Sequence, residues 1–101
     1  MVSFMIERIT KNEERLDNIL SSINGLEEAL KKFKSNERNL KLLKKYYGSN
    51  NWFKDKELYE KGLISKVKAG VLSEDTVWNM LEDIDNLIEE MRSIVDKHSH
   101  Q

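Results

Sequence analysis

The chain contains no cysteine and no proline, and only four glycines in 101 residues. Without cysteine, disulfide staples and thiolate metal sites are excluded. Without proline, the commonest helix breaker is missing. Long apolar runs are missing too. The longest stretch free of charge is Asn18 to Leu26, far short of the ~20 residues that a membrane-spanning helix needs. Met1 to Ile6 is apolar but lacks the basic start and the length of a signal peptide. The expectation is a cytoplasmic protein with no membrane partner. At this length the chain is a single domain, and its core is small enough that stability depends on good packing or on a partner.

What the sequence does contain is charge. Asp, Glu, Lys and Arg make up 35% of it, and with abundant Leu and Ile that composition favours long helices over sheets. The net charge of −1 hides segregation. Residues 1–30 carry three basic and six acidic groups, a net −3. Residues 31–69 carry twelve and four, a net +8, and residues 70–101 carry two and eight, a net −6. Such asymmetry signals either a polyanion-binding face or pairing of one part of the protein with another.

Apolar residues recur in alternating three- and four-residue steps: Val2, Met5, Ile9, Leu16, Ile19, Ile23, Leu26, Leu30 and Phe33, with Asn12 as the polar member. This is a heptad a/d seam held in one phase for more than four heptads. Ser3 is a candidate N-cap and Gly48 a candidate C-terminal stop. Asn24-Gly25 resembles a turn signal, but the phase is the same on both sides and both residues fall on outer b and c positions. The spacing therefore predicts one helix over about 3–47, with a hairpin turning at Asn24-Gly25 as the alternative. Residues 48–72 read as an irregular linker with a short helix from Trp52 to Lys61 stopped by Gly62. A second seam, Val77, Leu81, Ile84, Ile88, Met91 and Val95, predicts a helix over about 74–97, capped by Ser73. Residues 98–101 read as a disordered tail.

The fold class that follows is all-α: the long heptad helix packed antiparallel on the C-terminal helix. The acidic last helix would face the basic stretch from Lys31 to Lys45, which gives the charge segregation a structural explanation. A helix of roughly 65–70 Å cannot be covered by one of about 36 Å. The N-terminal half would then expose an apolar stripe, the usual mark of an interaction surface. Homodimerisation into a helical bundle is the simplest solution. Met5, Ile9, Asn12, Leu16, Ile19 and Ile23 would carry that contact, and an unidentified protein partner would use the same surface. Asn12 reads either as a register-fixing polar residue or as one tolerated near a helix end.

The middle of the chain resembles a known family on the residues Lys44-Lys45-Tyr46-Tyr47-Gly48-Ser49, Trp52, and Gly70-Val71-Leu72-Ser73-Glu74-Asp75. It is similar to the short bacterial proteins of domain-of-unknown-function family 4298, common in Firmicutes, from about Ile6 to Met91. The resemblance implies an all-helical fold with a long first helix running into the Tyr-Tyr-Gly turn. It implies no reaction, ligand or partner. The family's linker after the tryptophan tends to be acidic with a proline, whereas here it carries lysines and no proline.

Chemistry is sparse. Lys44, Lys45, Tyr46, Trp52, Lys54 and Lys56 interleave aromatics with lysines, a pattern that stacks bases and neutralises phosphates. The same pattern arises when aromatics form a junction core and lysines its solvated rim. His98 and His100 supply too few ligands for a closed metal site. The carboxylates of the last helix lack the Glu-x-x-His pairs of di-metal bundles. No nucleophile-base pattern, phosphate loop or dinucleotide fingerprint is present, so no cofactor is expected. The expected function is a non-catalytic, self-associating protein interaction module. The alternatives are a nucleic-acid-associated protein and a small ligand-binding protein or enzyme with a pocket under Trp52 and Trp78.

Overall fold

In a computed structural model, residues 1–99 are described and are helical with short connections: α1 (Val2–Ser35), α2 (Glu37–Tyr46), α3 (Asn50–Glu60), a 3-10 turn (Gly70–Leu72) and α4 (Glu74–His98). No strand occurs among the described residues, so the fold is all-α. No helix among them is long and apolar enough to cross a membrane. The chain divides into two units, one of residues 1–42 and one from Leu43 onward.

The N-terminal unit is built on α1. Its helix starts one residue ahead of Ser3, with Met1 in the cap position and the Met5 amide donating to the Met1 carbonyl at 3.3 Å. It passes through Asn24-Gly25 without a turn, because a glycine on the outer face costs only about 1 kcal/mol against a long seam. At 34 residues it is about 51 Å long.

The single helix expected over 3–47 is interrupted at Asn36. There φ is −101° and ψ is 0°. The Asn36 Nδ2 donates to the Lys32 carbonyl at 3.1 Å, Ser35 Oγ donates to the same carbonyl at 2.6 Å, and Asn39 Nδ2 donates to Asn36 Oδ1 at 3.1 Å. Short polar side chains thus take over a backbone acceptor, the Lys32 carbonyl, that a continuous helix would use. The Leu40 amide bonds back to the Asn36 carbonyl at 2.9 Å, and α2 resumes at once.

The C-terminal unit has a core. α2 ends at Tyr46, and Gly48 follows with φ +77°, the left-handed conformation that closes a helix. Ser49 caps α3, its side chain accepting from the Trp52 amide at 3.2 Å. α3 ends at the Lys61 cap and Gly62, and the Leu63 amide closes the turn on the Leu58 carbonyl. Residues 63–69 are irregular. Ser73 Oγ then accepts from the Thr76 amide at 3.4 Å and starts α4, whose first turn carries Glu74 and Asp75 at the positive end of the dipole. Along α4, Val77 is buried and Met80, Leu81 and Ile84 are half-buried. Beyond them Leu87, Ile88, Met91, Ile94 and Val95 are exposed. His98 is the last residue of α4, so the helix extends one residue past the expected boundary. The remainder of the expected tail, including His100, lies outside the described residues apart from Ser99.

Candidate functional site, an exposed stripe on the first helix

No residue of α1 is buried. Met5, Ile9, Leu16, Ile19 and Ile23 are all exposed, Leu16 at 48% and Ile19 at 57%. Ile6, Leu20, Leu26, Leu30 and Phe33 extend and widen the same stripe. Because they follow the heptad phase, they lie along one side of the helix, and the added Ile6 and Leu20 broaden it beyond a two-position seam. Outer positions hold the charges, as in the Lys11–Glu7 ion pair at 3.3 Å.

Asn12 interrupts the stripe between Ile9 and Leu16. Its Nδ2 donates to the Arg8 carbonyl at 2.8 Å, and its Oδ1 accepts from an Arg15 guanidinium N–H at 3.1 Å. A primary amide has two N–H groups, so one donor stays open.

The Lys/aromatic junction is in the C-terminal unit. Trp52 is 2% exposed. Its indole N–H donates to the Val71 carbonyl at 2.9 Å, which ties α3 to the 3-10 turn. Tyr47 meets the indole edge-on at 5.3 Å and Phe53 at 4.9 Å between centroids. Lys56 Nζ sits 5.1 Å from the ring centroid and pairs with Glu74 at 3.4 Å. The Tyr47 hydroxyl reaches the Glu74 carbonyl at 3.2 Å. The Tyr46 hydroxyl donates to Asp55 Oδ2 at 2.6 Å. That hydrogen bond, with desolvation and the carboxylate charge, pushes the phenol up to about 12.

Of the residues expected to contact nucleic acid, Trp52 has no ring face open to a base and the Tyr46 hydroxyl is committed to Asp55. Lys56 is held by the indole face and by acidic partners. Lys44, Lys45 and Lys54 are exposed, and Phe53 presents the most open aromatic of the group at 57%. Sequence reasoning missed Asp55 and Glu74 as the partners that orient this cluster. The i+9 spacing of Tyr46 and Asp55 has no local signature, since it spans a turn. Trp78 is exposed on α4. A shallow apolar groove of about 400 Å³ runs between Leu43, Val71, Val77 and Met80. Among the described residues no group of three His, Asp or Glu side chains is placed to hold a metal ion.

The landmarks from Tyr46 through Asp75 thus coincide with the packed part of the C-terminal unit, and a family model matches residues 9–94 across both units. The chain belongs to the family described as Domain of unknown function (DUF4298). No curated protein and no solved structure matches it. The DUF4298 match spans the α1 stripe from Ile9 onward, the Trp52 cluster and α4 as far as Ile94.

Proposed function

We propose that the chain is a non-catalytic, cytoplasmic helical module that associates with a second copy of itself through the α1 stripe. The carrying observation is that a 34-residue helix with a heptad-phased apolar side buries none of its residues. A helix within a protein gains most of its stability from packing an amphipathic face, not from propensity. A stripe of this length left in water is the kind of contiguous apolar patch that marks a protein contact. Met5, Ile9, Leu16, Ile19 and Ile23 supply the apolar contact and Asn12 its one polar position. Sedimentation equilibrium over a concentration series tests this: a dimer is expected at tens of micromolar, and Leu16→Asp should weaken it by at least tenfold. A monomer throughout the series ends the reading.

A second reading draws on Lys44, Lys45 and Lys54, which are exposed, as is Phe53. These residues would bind single-stranded nucleic acid through phosphate contacts and one stacked base. Binding should fall steeply with salt and be lost in the Lys44→Glu, Lys45→Glu double variant. Absence of binding at low salt removes it.

A further inference from the structure

Resting on the self-association reading, we propose that α1 pairs with α1 of the second copy in parallel and in register, so that Asn12 faces its own counterpart. With Val2 at a, the a residues are Val2, Ile9, Leu16, Ile23 and Leu30, and the d residues are Met5, Asn12, Ile19, Leu26 and Phe33. In a parallel in-register pair d faces d; in an antiparallel pair d faces a. Every a residue of α1 is apolar. Any antiparallel register that covers the stripe therefore sets the Asn12 amide against an aliphatic side chain. A parallel pair shifted by a heptad sets it against Met5 or Ile19. Only the parallel, unshifted pair puts amide against amide.

The hydrogen bonding of Asn12 fits that arrangement. One N–H is used on the Arg8 carbonyl and Oδ1 takes the Arg15 guanidinium. The second N–H and the remaining lone pair of the oxygen stay open for Asn12 of the second copy. A buried amide facing leucine or isoleucine would instead leave those groups desolvated and unpaired, which disfavours that register.

The flanking charges favour the same geometry. Arg8 is at g and Glu13 at the following e. In a parallel pair, g of one helix lies beside the next e of the other, so the symmetric dimer forms this ion pair twice. In an antiparallel pair g faces g, and the g positions of α1 are Arg8, Arg15, Ser22 and Ala29, with no acidic residue to oppose the arginines.

The chain has no cysteine, which makes engineered cross-linking clean. Met5→Cys and Ile19→Cys, prepared separately in the full chain, place one thiol each at d positions on either side of Asn12. Sedimentation of the unmodified chain decides association, and mild oxidation of the two variants decides orientation. A dimer in which both variants form disulfide-linked homodimers is expected. A dimer in which either variant fails to cross-link overturns the orientation and leaves the association standing. A monomer overturns both.

Discussion

Replacing Trp52 by alanine removes the largest buried side chain of the C-terminal unit and its hydrogen bond to Val71 together. A loss of about 3–5 kcal/mol is expected, read as a fall in the denaturant midpoint followed through the remaining Trp78. Tyr46 offers a gentler probe. Its phenol is raised from 10.0 to about 12 by Asp55, so the folded state favours the neutral form. The stabilisation is complete below pH 10, diminishes as the pH rises through the window from 10 to about 12, and disappears above it. Ultraviolet titration should show a phenol ionising at about 12, and Tyr46→Phe should abolish that step while costing about 1 kcal/mol at neutral pH. The lysines and aromatics of this cluster were legible in the sequence as a group. Their roles were not. Trp52 read both as a stacking platform and as a core residue, and its burial depends on a carbonyl 19 residues further on, a separation that no local pattern encodes.

Helices α1 and α4 follow from periodicity, the absence of proline and the Ser73 cap. The break at Asn36 does not, because seam phase is blind to the side-chain hydrogen bonds that a polar Ser-Asn pair makes with its own backbone. The two glycines at Gly25 and Gly48 should respond oppositely to alanine. Gly25 is in the helix interior with no atom within 4 Å of an added Cβ, so Gly25→Ala should stabilise α1 by about 0.5–1 kcal/mol. Gly48 holds φ at +77°, where a side chain costs about 1–2 kcal/mol, so Gly48→Ala should destabilise the turn between α2 and α3. Circular dichroism melts of the two variants give the comparison directly.

At the scale of the whole molecule the two units differ in what sustains them. The C-terminal unit has its own core in Trp52 and Val77, whereas α1 has no buried residue. If α1 is held by a second copy, its stability depends on protein concentration by mass action, and that of the Trp52 core does not. Amide hydrogen exchange should therefore slow across residues 5–30 as concentration rises from sub-micromolar to hundreds of micromolar, with the amides around Trp52 and Val77 unchanged. Exchange of α1 that is independent of concentration counts against self-association.

The sequence by itself determined that the chain is helical, where its long helices lie apart from the break at Asn36, and which side of each is apolar. Those properties come from residues three and four apart, and the information is local. Tertiary structure alone decided the course of residues 63–72, the burial of Trp52 against Val71, the Tyr46–Asp55 bond and the anchoring of Tyr47 on the Glu74 carbonyl 27 residues away. Those contacts join segments whose separation leaves no periodic trace. They form where an irregular stretch without regular apolar spacing meets an aromatic side chain that gives it a hydrogen bond and a surface to cover.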